Sequence, residues 1–291
     1  MERSPRASTC SAIIDVWNVQ TFDTDLLDVL ESSADLIRAF FDTDSQIFLS
    51  YDLGRSPDQP IMRPENPHAA GFNVLLDTLD RHMAARTIRA FHYTRLTDEE
   101  VAALRMSGIH VSTPEALRHR LDEQVASDGL ALDIADRLFV GSPFHSDQRD
   151  ARSGKFWMVS HPVAVDDGGV VPLVERWGGE VASMWVRGAD LSAPLMILGR
   201  ARVIEIAAPL GATRHSHAAA MAVVATFGRS LGAIPGKSAF DLYVNQPLPA
   251  TAMLRVHTEG EAVFSSMGRT YPAGYIDVDV GRWKELTGDD D

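Results

Sequence analysis

The sequence lacks most of the features that reveal a function directly. Its single cysteine, Cys10, excludes an internal disulfide and a zinc site built from thiolates. It has no run of about 18 apolar residues, as a membrane-spanning helix requires, and its first residues lack the apolar stretch of a secretory signal. With 45% hydrophobic residues, we therefore expect a cytoplasmic globular protein that binds no membrane and folds by burial alone.

Several familiar motifs are also missing. The chain contains no GxGxxG, GxxxxGK[ST], GxSxG or HExxH pattern, so the usual dehydrogenase, NTPase, hydrolase and metalloprotease signatures are absent. His215 and His217 are two residues apart, but no Asp, Glu or Cys stands beside them at a known ligand spacing. We predict that no metal is bound and that this pair lies at the exposed start of a helix.

Basic residues are scarce, and their distribution is uneven. The formal net charge is -13, which disfavours non-specific binding to nucleic acid or anionic membrane. Residues 1–80 contain 5 Lys and Arg against 14 Asp and Glu, whereas residues 81–155 contain 11 of each. An anionic ligand is therefore most easily accommodated in the middle third, where Arg149, Arg152 and Lys155 lie close together.

Hydrophobic periodicity predicts a mixed α/β (α+β) fold, with a central mixed sheet and surrounding helices over residues 81–291. Residues 1–80 are predicted to form an acidic N-terminal α/β segment that ends near the proline-rich stretch 54–67. Strands are expected at 12–20, 46–53, 87–92, 109–112, 155–165, 181–186, 202–210, 239–245, 252–258 and 275–280. Helices are expected at 24–41, 69–85, 97–108, 113–127, 170–177 and 216–230.

The clearest local pattern follows the strand that ends at His92. Thr97 and Glu100 have the spacing of a capping box, and Gly108 marks the end of that helix. Thr113 and Pro114 then predict the start of the next helix. Helix boundaries in this region are therefore well specified by the sequence.

His92 is the first candidate for chemistry, because side chains at strand ends often face a cleft. Tyr93, Thr94 and Arg95 follow it and offer a ring, a hydroxyl and a fixed positive charge. The alternative is a histidine that serves only the core or a helix cap. On composition alone that alternative is more common, and the neighbouring residues favour the functional interpretation.

A second candidate region spans residues 142–157. His145, Arg149, Arg152 and Lys155 could bind phosphates, while Phe156 and Trp157 offer ring faces. Phe156 and Trp157 point to opposite faces of a strand, so at most one ring can line a site with its neighbours. The alternative is a solvated surface loop, to which we give equal weight.

Glu180 is the third candidate. It follows Gly178 and Gly179, which end a helix and give the backbone freedom to bring a carboxylate close to a ligand. The alternative is an ordinary turn glutamate. Glu259 and Glu261 form another pair of carboxylates, but their position favours the start of a helix.

Residues 87–186 resemble the ADP-ribosyltransferase fold of the histidine, tyrosine and glutamate type. The resemblance implies that NAD is the substrate, that His92 holds its ribose and that Glu180 polarises the ribose. It also implies that Phe156 or Trp157 flanks the nicotinamide, although the family has a tyrosine there and no tyrosine lies between Tyr93 and Tyr243. Tyr93, Thr94, Arg95, Arg149, Arg152 and Lys155 complete the expected binding site.

The resulting expectation is an NAD-dependent ADP-ribosyltransferase that modifies a protein or nucleic-acid acceptor. A toxin or defence effector, held by an inhibitory or antitoxin partner, is the biological setting that this implies. Two alternatives stay open. One is a nucleotide or sugar-phosphate hydrolase that uses Glu180 with His92 or His145 as acid and base. The other is a non-catalytic module whose acidic N-terminal third binds a basic partner.

Overall fold

The computed structural model describes residues 13–48, 62–236, 238–269 and 271–272, which form two compact units. Unit 1 draws on Met1–Ile88, Pro209–Gly211 and Ser216–Gly236, and unit 2 on Arg89–Ala208, Ala212–His215 and Lys237–Asp291. Residues 81–88 and 216–236 thus belong to unit 1 together with the N-terminal helices. Independent stability of residues 1–80 stays a prediction.

The helices, in chain order, are α1 (Thr24–Ser32), α2 (Ala34–Ile47), α3 (Ala69–Ala84), α4 (Asp98–Ser107), α5 (Pro114–Ala126), α6 (Leu132–Val140), α7 (Arg149–Arg152), α8 (Val171–Val174), α9 (Gly179–Ala182), α10 (Ala189–Ile197), α11 (Ser216–Ser230) and α12 (Ala262–Ser266). The strands are β1 (Thr87–Leu96), β2 (Phe156–Val159), β3 (Arg200–Pro209), β4 (Asp241–Val244) and β5 (Met253–Thr258).

Unit 1 is mainly helical, with α2, α3 and α11 packed around aromatic side chains. Phe72 on α3 stacks on Phe40, with ring centroids 3.6 Å apart, and meets Phe41 edge-on at 5.4 Å. A Cβ at Gly228 on α11 would lie 2.9 Å from the Phe41 ring, so a larger residue there would separate α11 from α2. The packing of unit 1 therefore depends on close approach of the helices.

The strand predicted at 12–20 is wrong, and the one predicted at 46–53 is wrong where it is described. Ile14 makes only an isolated parallel bridge to Ile88, and a 3-10 helix follows at Val19–Thr21. The Asp15 carboxylate accepts the Trp17 N–H at 3.0 Å, which bends the chain into a turn. Residues 46 and 47 end α2, while 49–53, most of the proline-rich stretch and the strand predicted at 275–280 lie outside the described residues.

Unit 2 contains a five-stranded sheet in the order β4-β2-β1-β3-β5. β1 with β2, β2 with β4 and β3 with β5 pair in antiparallel fashion. One side chain cluster joins α5 and α6 to the fully buried Trp177 and Leu195. Another covers Phe91, Tyr93 and Val203 on the sheet. These findings confirm the predicted α+β class.

The capped helices of unit 2 are confirmed. The Glu100 N–H donates to the Thr97 hydroxyl at 3.2 Å, and the Thr97 N–H donates to the Glu100 carboxylate at 2.9 Å, which completes the capping box. Gly108 ends α4 at φ +88°, and a Cβ there would come 2.2 Å from the Leu248 carbonyl oxygen. Thr113 caps α5 by accepting the Ala116 N–H at 3.1 Å.

Other elements of unit 2 differ from the prediction. The strand predicted at 181–186 is wrong, because the left-handed Gly178 and Gly179 lead into the helical turn α9, which the Ser183 hydroxyl closes on the Gly179 carbonyl at 2.9 Å. Residues 109–112 form only isolated bridges, to Leu248 and Lys155. The strand at 155–165 shortens to β2 and the helix at 170–177 to α8.

Among the described helices, none has both the length and the apolarity needed to cross a lipid bilayer.

Candidate functional site

His92 lies on β1, next to the residue at which β1 pairs with β2. In the described chain, that pair is Phe91 with Val159, and the following residue, His92, contacts β2 through its side chain. Its Nδ1 lies 2.8 Å from the carbonyl oxygen of Trp157. Since a carbonyl can only accept, Nδ1 must carry the proton, and in a neutral ring Nε2 is then a free acceptor.

Burial keeps His92 neutral. Loss of water around the ring lowers the pKa of His92 to about 4, and the bond to Trp157 only partly opposes this. The Phe156 ring lies against the imidazole, with centroids 4.4 Å apart and planes at 37°. His92 is thus a positioned hydrogen-bond acceptor beside an aromatic face, suited to a hydroxyl on a flat or ring-shaped ligand.

The Trp157 ring has a different environment, as the alternation of a strand predicts. It lies 4.8 Å from the Tyr243 ring on β4, and its indole N–H donates to the Ala151 carbonyl at 3.0 Å. Phe156 is therefore the ring that faces His92. Trp157 contacts the site through its backbone carbonyl, which accepts from His92, and its indole N–H binds α7 at Ala151.

Two glycines bring Glu180 to the end of β1. Gly178 has φ +84° and Gly179 has φ +57°, values that cost other residues about 1–2 kcal/mol. The Gly178 N–H donates to the Arg95 carbonyl at 3.3 Å, and a Cβ at Gly179 would lie 3.5 Å from the Thr94 hydroxyl. Thr94 and His92 lie on the same side of β1, and Tyr93 between them points to the other side. The turn that carries Glu180 therefore begins next to the side of β1 on which His92 lies.

Trp177 anchors this turn from within the core. Its side chain is fully buried, and its indole N–H donates to the Glu100 carboxylate at 2.8 Å. Arg120 forms an ion pair with the same carboxylate at 2.8 Å and places its guanidinium 4.8 Å from the Trp177 ring centroid. The capping residue of α4 therefore also fixes the segment that leads to Glu180.

Glu180 forms an ion pair with Arg152 of α7. Burial raises the pKa of Glu180, the Arg152 charge opposes that rise, and the negative charge of Asp241 adds to it. Arg152 Nε is buried and has no hydrogen-bond partner within the described protein. The guanidinium thus neutralises Glu180 while keeping hydrogen-bonding capacity for another acceptor.

Two of the predicted binding residues lie on the other side of β1 from His92. The Tyr93 hydroxyl donates to the Val163 carbonyl at 2.8 Å and accepts the Val163 N–H at 2.6 Å, and burial raises the pKa of Tyr93. Arg95 donates to the Leu198 carbonyl at 3.0 Å and lies 3.5 Å from Glu259. Both side chains have structural partners, and the structure does not bring them to His92.

The basic residues of the 142–157 region have different environments. Lys155 donates to the Asp150 carbonyl at 2.6 Å, with its ammonium 5.0 Å from the Tyr243 ring centroid. Arg149 is exposed on α7. His145 is exposed and edge-on to Phe139 at 5.0 Å. Of the three cations predicted to bind phosphate, only Arg152 contacts another predicted site residue.

Asp241 and Tyr243 are neighbours of the site that were not predicted from the sequence, and His215, considered above only as a metal ligand, lies beside Tyr243. Asp241 and Tyr243 alternate with the buried Leu242 and Val244 on β4, and that alternation was a usable signal. His215 lies edge-on to Tyr243 at 5.0 Å. Among the residues that the structure describes, no three His, Cys, Asp or Glu side chains are placed to hold a metal ion.

Comparison of the chain with protein-family models, with curated proteins and with solved structures finds no match. The functional interpretation therefore depends on the chemistry of His92, Phe156, Arg152 and Glu180 themselves.

Proposed function

We propose that this protein is an NAD-dependent ADP-ribosyltransferase in which His92 binds the nicotinamide ribose. The observation that carries the proposal is the neutral His92, whose Nδ1–H is fixed on the Trp157 carbonyl and whose ring lies on Phe156. Its free Nε2 can accept a hydrogen bond from a ribose hydroxyl, and Phe156 offers a face to the nicotinamide ring.

Glu180 supplies the charge that the reaction needs. When the bond between nicotinamide and ribose breaks, its electron pair leaves with the nicotinamide nitrogen and the ribose gains oxocarbenium character. A nearby carboxylate stabilises that positive charge in the transition state. What supports this role is the turn that carries Glu180, which Trp177 and β1 hold in place.

Arg152 supplies the anion-binding group. In the free protein its guanidinium pairs with Glu180, and a pyrophosphate would compete for the same donors because Arg binds phosphates through paired N–H groups. Binding of the dinucleotide would then loosen the Arg152–Glu180 pair and leave the carboxylate free for the ribose. Such an activity fits a toxin or defence effector whose own cell is protected by an inhibitory partner.

A nucleotide or sugar-phosphate hydrolase is the second candidate, and the raised pKa of Glu180 favours it. A carboxyl group that holds its proton more tightly than usual is suited to protonate a leaving group. Both candidates place Glu180 at the reacting bond, and they differ in the bond that is broken.

Incubation with NAD separates them. Release of nicotinamide, with ADP-ribose found on an acceptor by mass spectrometry, supports the transferase. Release of phosphate or nucleoside supports the hydrolase. If NAD is unchanged and adds nothing to the melting temperature, the transferase fails and a binding module is favoured, because a ligand at 100 times its Kd should add about 2.7 kcal/mol of stability.

A further inference from the structure

We propose that an open groove between the start of α5 and Phe139 binds the adenosine monophosphate half of the dinucleotide, an inference that rests on the proposed function. The groove has a volume of about 370 Å³, within the range of small-ligand sites. It is lined by Pro114, Glu115, Arg118, His119, Asp122 and Phe139.

The groove has a stacking surface. Phe139 is partly exposed, and the Arg118 guanidinium carbon lies 5.6 Å from its ring centroid. Arg118 is held in place by Asp122 at 2.9 Å and by Asp136 at 2.8 Å. A fixed guanidinium over an aromatic ring forms a stacked pair whose outer face suits a nucleobase, as in sites that bind single-stranded nucleic acid.

The polar rim of the groove offers acceptors to the exocyclic amine of adenine. Glu115 and Asp122 place carboxylate oxygens, which can only accept hydrogen bonds, beside the stacking surface. Adenine presents an exocyclic amine donor that such an oxygen can accept. A purine without that amine would lose this hydrogen bond.

Hydrogen bonds connect the groove to the Glu180 site through α7. Before α5, the Ser112 N–H donates to the Lys155 carbonyl at 2.9 Å and the Gly154 N–H donates to the Ser112 carbonyl at 2.8 Å. At the other end of α7, the Arg149 N–H donates to the Ser146 carbonyl at 3.2 Å, next to the His145 ring that touches Phe139.

Both walls of the groove are thus tied to α7, whose Arg152 pairs with Glu180. Arg149 and Arg152 are the two cations of this short helix. They stand between a surface suited to a base and a carboxylate suited to a ribose. That order, base, phosphates and reacting ribose, is the order of groups along a dinucleotide.

Calorimetric titration tests this assignment with three ligands: AMP, purine riboside 5′-monophosphate, which lacks the exocyclic amine, and nicotinamide mononucleotide. Phe139→Leu keeps an apolar side chain for the core but removes the ring, and Val140→Ala, at an exposed neighbour on α6, is the matched control. We expect the Phe139→Leu variant to bind AMP about 5-fold more weakly or worse, the loss of one stacking contact. Nicotinamide mononucleotide should bind both variants as it binds the wild type.

Glu115→Gln gives a second test that does not touch the core, because Glu115 is exposed. It should reduce the preference for AMP over purine riboside 5′-monophosphate. Equal AMP affinity in wild type and Phe139→Leu, or no preference for AMP over purine riboside 5′-monophosphate in the wild type, overturns the assignment. Nicotinamide release by a wild type that fails these titrations would leave the proposed function standing, whereas AMP binding without nicotinamide release would remove only the transferase.

Discussion

Glu180 is the side chain on which the proposed reaction depends most. Glu180→Gln keeps the size and polarity of the side chain but removes the charge, so NAD turnover should fall about 100-fold or more while the melting temperature stays unchanged. Glu175→Gln, at a partly exposed position five residues earlier, should have no effect on turnover. Wild-type activity in Glu180→Gln would contradict the role and move attention to Glu259 and Glu261.

His92 should make stability depend on pH. Its pKa is about 4 in the folded protein against 6.5 when unperturbed. Between about pH 4 and pH 6.5 the unfolded chain therefore binds a proton that the native state does not bind. Stability is then fully present above about pH 6.5 and is lost as the pH falls toward 4, by at most about 3 kcal/mol.

Urea unfolding at pH 7.5 and pH 5.0 measures this loss. His92→Asn keeps an N–H in place for the Trp157 carbonyl but does not titrate, so its stability should change less between the two pH values than that of the wild type. An identical change in both proteins would show that carboxylates, not His92, set the acid sensitivity.

Some of these residue properties were accessible from the sequence and others were not. His92 was a candidate because it ends a predicted strand, and Arg152 because it belongs to the densest basic stretch. The neutral state of His92 could not be predicted, because it depends on burial of the ring by the folded chain, and its tautomer depends on a carbonyl 65 positions away. For the same reason the pairing of Arg152 with Glu180 emerges only from the fold.

At the level of elements, the Gly178–Gly179 turn controls where Glu180 lies. A Cβ at Gly178 would stand 2.4 Å from the Ala182 Cβ, whereas one at Gly179 would make an ordinary 3.5 Å contact with Thr94. Gly179→Ala should therefore cost about 1–2 kcal/mol, from the left-handed backbone alone, and Gly178→Ala clearly more.

Chemical denaturation of both variants, with Gly168→Ala as the control, checks this order. A Cβ at Gly168 meets no atom within 4 Å, so the control should be close to neutral. If Gly178→Ala is no less stable than Gly179→Ala, the turn relaxes away from Ala182 and does not hold Glu180 as described.

Elements with local signals were predictable, and those that depend on distant partners were not. Thr97 with Glu100 and Thr113 with Pro114 specify helix starts within four residues, and the structure confirms both. The β-branched residues at 12–20 and 181–186 led to wrong strand predictions, because Asp15 and the two glycines form turns there instead. The strand order could not be read from the sequence, because β4 and β2 are far apart in the chain yet pair along four residues.

At the level of the whole molecule, unit 1 is assembled from separate parts of the chain. Almost every residue of α11 from Ala219 to Gly228 is buried, and the helix packs on α3. A chain that begins at residue 81 would lack α1 and α2 and most of α3, and would expose Val223 and Phe227 to water. We expect that truncated chain to be poorly soluble or to lose cooperative unfolding, since large exposed apolar patches promote association.

Expression of residues 81–291 beside the full chain, followed by near-UV circular dichroism and thermal unfolding, tests this expectation. A soluble truncated protein with a sharp transition would show that residues 1–80 are a separable layer, as the charge distribution predicts. Retained NAD turnover in that protein would further show that the reaction does not need residues 1–80.

During synthesis on the ribosome, α1, α2 and α3 emerge long before α11 exists. The residues between Ile88 and Ser216 must be translated first, which takes roughly 6–26 s at about 5–20 residues per second. Throughout that interval Phe72 and Leu79 of α3, which are buried in the finished protein, are not yet covered by α11. The nascent chain is therefore a client for chaperones that bind apolar segments, and faster translation from Ile88 to Ser216 should raise the yield of native protein.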